Sequence, residues 1–252
     1  MRKFFVESNQ IKDAQIEIIG EDVNHIKNVL RLEIGEKIKI CDKTNQINYI
    51  AEIIEITSKE VKCNILETAK NEAEGNVILH IFQGLPKADK MELIIQKGTE
   101  LGASEFIPVA LKRSIVKISG KDEIKKIDRW NKIAEVAAKQ CGRDLVPLVR
   151  SVENIKNICN QIKEYDIVLL AYELEEKNYI KNELQKLKHK KENYKIAVII
   201  GPEGGLEQEE VDYLSENGAK VISLGKRILR TETVALQVSS IIMYELENGG
   251  NE

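Results

Sequence analysis

Two glycine-bearing stretches hold the residue types best suited to chemistry. The first is Ile200-Gly201-Pro202-Glu203-Gly204-Gly205. The second is Leu224-Gly225-Lys226-Arg227-Ile228-Leu229-Arg230-Thr231-Glu232-Thr233. Glycine lets a backbone approach a ligand closely and leaves its amide groups accessible. Each stretch follows a short apolar run of strand type, Lys195–Ile200 or Val221–Leu224. In open parallel sheets, ligands bind beyond the carboxyl ends of the strands. The second stretch also leads into a helix N-terminus, which favours anionic or electron-rich groups. Neither matches G-x-G-x-x-G or G-x-x-x-x-G-K-[ST], which argues against a nicotinamide enzyme, a P-loop NTPase and a Rossmann-type methyltransferase. A single glycine loop reads more readily as a structural turn. Two of them at neighbouring strand ends point to a site.

Other chemistries find little support. Cys41, Cys63, Cys141 and Cys159 never fall at C-x-x-C spacing, and His25, His80 and His189 form no H-E-x-x-H. Zinc knuckles, redox pairs and metal hydrolases are therefore not expected. No metal is expected at all. Scattered thiols suit a reducing compartment.

The elements that must position the two loops follow from periodicity. The 252 residues allow one large domain or two modest ones. Hydrophobic residues at 42% and charged residues at 31% exclude a disordered or fibrous chain. No apolar run reaches the roughly 18 residues of a membrane span. The opening Met1-Arg2-Lys3-Phe4-Phe5-Val6-Glu7 turns acidic before a signal sequence can form. A cytoplasmic protein with no membrane contact is expected.

Residues 1–72 read as a small β-barrel. Short strands are predicted at Gln15–Ile19, Lys37–Cys41, Asn48–Ile56 and Val61–Leu66, with a helical insert at Glu21–Leu30. Residues 73–252 alternate strand and helix, which implies a mostly parallel α/β sheet. Strands are predicted at Val77–Gln83, Glu105–Ala110, Asp166–Tyr172, Lys195–Gly201 and Val221–Leu224. Helices are predicted from Pro86 to Gly102 and over Ile124–Cys141, Glu207–Glu216 and Thr233–Leu246. The last carries an apolar stripe of Val234, Val238, Ile241 and Ile242, widened by Ala235, Met243 and Leu246. Such a helix is buried on more than one side, by its own domain or by a second subunit.

The 38 Lys+Arg against 41 Asp+Glu leave a net charge of −3. Charge is nevertheless segregated along the chain. Lys112–Arg143 and Lys181–Lys195 are basic, whereas Glu203–Glu216 is acidic without a base. The basic runs read as solvated helix faces residue by residue, and as a phosphate-backbone footprint taken together. Aromatics at 5% argue against base stacking as the main mode.

The paired C-terminal loops closely resemble the RsmE family of 16S rRNA N3-uridine methyltransferases. The resemblance extends along nearly the whole chain. It takes in Arg2-Lys3-Phe4, then His25 with Val29-Leu30-Arg31. It continues through Lys97-Gly98-Thr99-Glu100-Leu101-Gly102, Pro108 and Arg113-Ser114. Glu135-Val136-Ala137-Ala138-Lys139-Gln140-Cys141-Gly142-Arg143, followed by Pro147, completes it. The family usually has Ala where this chain has Val234, and commonly at Val136.

The resemblance implies a PUA-like RNA-binding barrel followed by a SPOUT-type α/β domain with a deep trefoil knot. It implies S-adenosylmethionine (SAM) as cofactor and 16S rRNA in the small ribosomal subunit as substrate. It also implies a homodimer formed through the last helix. SAM would lie in a cup formed by Leu170, Ala171 and Tyr172, by Ile200, Gly201 and Gly205, and by Leu224, Gly225, Ile228, Leu229, Arg230, Thr231 and Thr233. Arg230 would hold developing oxyanion charge and Glu232 would act as base. Arg2, His25, Arg31, Arg113, Lys126 and Arg143 would contact RNA. The alternatives are a SPOUT enzyme with another target, such as a tRNA ribose 2′-hydroxyl, and a non-catalytic RNA-binding protein.

Overall fold

The computed structural model describes residues 1–187 and 192–247. His189 and the lysines at 188, 190 and 191 of the second basic run lie outside the described residues. The chain forms two compact units. One comprises Met1–Glu74 with Ala138–Val146, and the other Gly75–Ala137 with the chain from Pro147 onward.

The first unit opens with β1 (Lys3–Val6), β2 (Ile11–Lys12) and β3 (Gln15–Ile19). Helix α1 (Glu21–Asn24) runs into a π-helical turn over His25–Leu30. Strands β4 (Lys37–Asp42), β5 (Asn48–Ile56) and β6 (Glu60–Ala69) follow. The sheet order is β1-β4-β5-β6-β3-β2, with β1 and β4 parallel and the other pairs antiparallel. Alternation decides which face is inside. In β3, Ile16 and Ile18 are buried while Gln15 and Ile19 are exposed. These pack with Ile38, Ile40, Ile53 and Val61 into one core. Register shifts in β5 at Ile50/Ala51 and Ile53/Glu55 bend the sheet around that core. Arg31 ends the π-helical turn at φ 53, in the left-handed region.

The sequence leaves 138–146 with the second part of the chain, but the structure places it in the first unit. The reason is a buried carboxylate. Asp144 accepts hydrogen bonds from Lys3 Nζ at 2.5 Å and from the backbone N–H groups of Glu72 at 2.9 Å and Ala73 at 3.1 Å. Lys39 Nζ lies 2.8 Å away. Arg143 beside it is paired with Glu74, and Lys139 with Asp22. Ala138 and Val146 pack on Phe5 and Cys41.

The second unit is a parallel sheet in the order β10-β8-β7-β12-β11-β13, with β9 also paired to β8. Its strands are β7 (Val77–Gly84), β8 (Ala103–Ala110), β9 (Leu148–Val149), β10 (Glu153–Asn154), β11 (Ile167–Ala171), β12 (Tyr194–Ile200) and β13 (Lys220–Ile222). The central β12 is apolar almost throughout because both its faces are covered. The helices are α2 (Lys90–Glu100), α3 (Lys121–Cys141), whose last residues from Ala138 belong to the first unit, α4 (Ile155–Gln161), α5 (Ile180–Leu187), α6 (Gln208–Glu216) and α7 (Thr231–Leu246). Pro86 does not open α2 as expected: Ala88 adopts φ 52, so the chain turns once more and Asp89 becomes the N-cap. Helix α7 packs on α2 and β7. Its buried stripe is Ala235, Val238, Ser239, Ile242 and Leu246, while Val234 and Ile241 of the predicted stripe are half-buried. Among the described residues no helix is long and apolar enough to cross a membrane.

Asp144 gives the first unit an acid-sensitive anchor. Burial alone would push its pKa up, but the hydrogen bonds from Lys3, Lys39, Glu72 and Ala73 prevail and hold it at about 2, below the ordinary 3.8. A carboxyl depressed on folding stabilises above its unfolded pKa and loses that contribution as pH falls towards the folded one. Asp144→Asn is therefore expected to cost about 2 kcal/mol at pH 7. It should also flatten the loss of stability between about pH 4 and pH 2. Urea unfolding across that range checks this; a variant with wild-type stability and the same acid limb would refute it.

Candidate functional site

The carboxyl ends of β11, β12 and β13 open into one cavity of about 520 Å³. Three loops line it. Ala171, Tyr172 and Glu173 continue β11, Gly201, Pro202, Glu203 and Gly205 continue β12, and Ser223 to Thr231 continue β13. Strand β12 supplies Ile200, and α2 supplies Lys90 at its first residue.

The second loop is tight. The Gly205 N–H donates to Pro202 O at 2.9 Å, and Gly205 has φ +70. That φ favours glycine; a Cβ there would also stand 2.4 Å from Glu173 Oε1, which a small swing of the flexible glutamate relieves. Gly225 differs. Its φ of +112 is a glycine conformation, yet nothing lies within 4 Å of where a Cβ would be. Its free face therefore borders open space at the cavity.

Behind the cavity, the loops are tied by a buried polar network. The Thr231 hydroxyl donates to Gly201 O at 2.7 Å and accepts from Gln83 Nε2 at 2.8 Å. Gln83 Nε2 also donates to Gly84 O at 2.9 Å. Gln83 and Thr231 are both buried. Gln83 and His80 are the two polar residues in the mainly apolar β7, and that break at the strand's carboxyl end was the signal available in the sequence. Its Oε1 is buried without a hydrogen-bond partner among the described residues.

At one wall, Lys90 Nζ lies 2.9 Å from Glu203 Oε1 and 3.5 Å from Glu232 Oε2. Glu203 Oε1 also accepts from the backbone N–H of Lys87 at 3.0 Å. Burial would raise the Glu203 carboxyl, but these donors hold it below its usual value. The hydrogen bond to Glu203 in turn raises the Lys90 ammonium. The structure thus adds Lys90 and Glu203 to the cavity and sets Glu232 at the far side of Lys90, outside the lining.

The remaining expected residues divide. Ala171, Tyr172, Ile200, Gly201, Gly205, Leu224, Gly225, Ile228, Leu229, Arg230 and Thr231 all line the cavity. Leu170 is fully buried in the core beneath it, and Thr233 is exposed on α7 outside the lining. Ile228, expected in the cofactor cup, lines the cavity and is 86% exposed. Arg230 is exposed and stands at the N-cap of α7. Arg2, His25 and Arg31 are exposed on the first unit. Lys126 is exposed on α3, its Nζ 5.9 Å above the Trp130 ring. Arg143 is only 6% exposed, its guanidinium 2.6 Å from Glu74 Oε2, and so it is committed inside the first unit. Among the described residues no group of three His, Cys, Asp or Glu is placed to hold a metal ion.

Residues 73–243 match the model of an RNA methyltransferase domain, and residues 18–66 that of an RNA methyltransferase PUA domain. A ribosomal RNA small subunit methyltransferase E of Bacillus subtilis (strain 168) is 38% identical, covering 98% of each chain. The protein of that name in Mesomycoplasma hyopneumoniae (strain 232) is 32% identical over 94% of this chain and 96% of its own. A methyltransferase of Legionella pneumophila, solved in complex with SAM, is 28% identical with a TM-score of 0.80, covering 97% of this chain and 98% of that one. By sequence along its whole length and by fold, the chain belongs to the ribosomal RNA small subunit methyltransferase E family, a PUA domain joined to an RNA methyltransferase domain.

Proposed function

We propose that this chain transfers a methyl group from SAM to N3 of a uridine in the 16S rRNA of the small ribosomal subunit. The observation that carries this is the cavity at the ends of β11, β12 and β13, whose lining combines the glycine backbone of Gly201, Gly205 and Gly225 with charged side chains, among them Lys90, Glu203 and Arg230. Its volume of about 520 Å³ falls within the usual range for small-molecule sites. Amide and carbonyl groups of such loops suit the hydrogen-bonding edge of adenine. The open space beside Gly225 lets that edge approach. Leu224 and Leu229, both half-buried, supply apolar contact. When bound, SAM supplies an electrophilic methyl group on a sulfonium.

The chain's own residues then handle the acceptor. Uridine N3 carries a proton between two carbonyls, and its loss leaves negative charge on the oxygens. Arg230 faces the cavity and is the candidate to hold that charge. Glu232 serves the site through Lys90, which it flanks together with Glu203. The uridine must leave its stack at a cost of a few kcal/mol. Exposed Arg2, His25, Arg31 and Lys126 are the phosphate contacts that offset it.

Thr231 seats the chain after β13 against the end of β12, which accords with a trefoil knot. A homodimer through α7 is part of the same reading. The half-buried Ile241 and the 72% exposed Tyr244 are the surface it would use. Action on ribosomal subunits places the protein in the cytoplasm.

Methyl-labelled SAM and small subunits lacking the modification test the reaction. Label is expected in N3-methyluridine of 16S rRNA. Label in a ribose-methylated nucleoside would overturn the atom assignment, and RNA binding without cofactor binding would overturn catalysis. Gly225→Val tests the cavity. Its side chain would enter the space now open, so SAM affinity should fall at least about tenfold, roughly 1.4 kcal/mol. The positive φ adds strain, and a loss of about 1 kcal/mol in stability is expected alongside. Calorimetry with a melting control separates the two effects; unchanged SAM affinity would refute the placement.

A further inference from the structure

The basic run after β8 and the acidic run that enters α6 lie far apart in sequence, yet they meet beside the glycine loop 201–205. Arg113 Nε and Nη2 reach Glu207 Oε1 and Oε2 at 2.9 and 3.0 Å, a two-pronged contact. Its Nη1 donates to Gly204 O at 2.8 Å. Glu207 is itself the N-cap of α6, with a reciprocal capping box to Glu210. Glu210 also accepts from the backbone N–H of Lys112 at 2.9 Å, and Lys112 Nζ pairs with Glu209.

These contacts converge on five residues of backbone. A Cβ at Gly204 would stand 3.1 Å from Arg113 Cβ, so the loop lies directly on the arginine stem. On the other side, a Cβ at Gly84 would stand 2.7 Å from Pro202 and 2.9 Å from Leu111. The loop is thus held between the end of β7 and the segment leaving β8. The hydrogen bond to Glu207 raises the Arg113 guanidinium further and lowers the Glu207 carboxyl. The fork therefore stays fully charged at neutral pH.

We propose that Arg113 is a positioning residue that latches the cofactor loop 201–205 to the end of β8, and is not a phosphate contact. All three of its guanidinium nitrogens are engaged within the second unit. A planar fork matches a carboxylate edge, which a lysine ammonium does not reproduce. Single exposed ion pairs contribute little. This one adds a bond to the carbonyl of the very loop that must keep its shape to receive SAM. The inference rests on the proposed reading of that loop as the SAM site.

Three variants test it: Arg113→Ala, Arg113→Lys and Glu207→Gln. A latch predicts that all three weaken SAM binding by about five- to tenfold in calorimetry, the scale of a lost charge-assisted contact. Amide exchange at Gly204 and Gly205 should quicken in parallel. The salt dependence of RNA binding should stay as in the wild type. Glu207→Gln is the informative case, since it removes no positive charge and keeps Arg113.

A phosphate contact predicts a different pattern. Arg113→Ala would lower the salt slope by about one, Arg113→Lys would largely preserve binding, and Glu207→Gln would do nothing. That pattern, with unchanged SAM affinity, would overturn the latch. If Arg113→Ala fails to fold, Arg113→Lys and Glu207→Gln still decide the matter. If the wild-type chain binds no SAM, the cofactor reading of the loop fails, and exchange at Gly204 and Gly205 alone decides the latch.

Discussion

The site depends on one buried hydroxyl. Thr231 joins Gly201 O to Gln83 Nε2, so the ends of β7 and β12 and the start of α7 meet at a single oxygen. Those groups lie out of water, where each net hydrogen bond contributes about 1 kcal/mol but an unmade one costs about 1–3 kcal/mol. The asymmetry makes the junction selective: only a chain path that brings Thr231 to Gly201 satisfies it. The cavity follows, because fixing Thr231 fixes where the preceding loop from Gly225 must run. The unpartnered Gln83 Oε1 shows that the network is not fully satisfied. Partly satisfied buried networks are tolerated where a site needs them.

Charge has a similar double life. Counted along the sequence, Lys112–Arg143 is a basic run that suggests RNA. In the fold, several of its cations are paired with carboxylates of this chain, Lys139 and Arg143 largely out of solvent and the others at the surface. Arg113 and Lys112 are matched by the acidic first turn of α6, Arg129 pairs with Glu92, Lys139 with Asp22 and Arg143 with Glu74. Counting residues cannot separate such intramolecular pairs from a phosphate footprint, because the partners stand between 37 and 117 positions apart. Lys126 remains displayed on α3. Net charge therefore overstates the surface available to RNA.

What could be read directly from the chain was whatever local periodicity or backbone geometry dictates. The unbroken apolar run of β12, the alternation of β3 and the two glycine loops were all visible, since each follows from neighbours within a few residues. Most of the expected cofactor set lines one cavity for that reason: a loop at a strand end has few other places to be. Leu170 is out of reach because β11 is still inside the sheet at that residue, with both faces covered. The start of α2 was misplaced because a left-handed Ala88 has no signature in composition. Gln83, Lys90 and the assignment of 138–146 to the first unit depend on contacts that no local pattern encodes.

The charged wall of the cavity says how chemistry can proceed there. Lys90 is held towards its ammonium form and Glu203 towards its carboxylate, each by the other. Neither is poised to exchange a proton near neutrality, since a useful acid or base needs a pKa close to the working pH. The wall therefore supplies fixed charge. On the proposed reaction, acceleration then comes from orienting the methyl donor and from stabilising the uracil anion. Fixed charges act only as well as they are positioned, and an error of about 1 Å can cost a hundredfold in rate. A site of this kind thus places its demands on loop geometry. That is why its strongest contacts, at Thr231, Glu203 and Arg113, tie loops to strand ends rather than reach for a substrate.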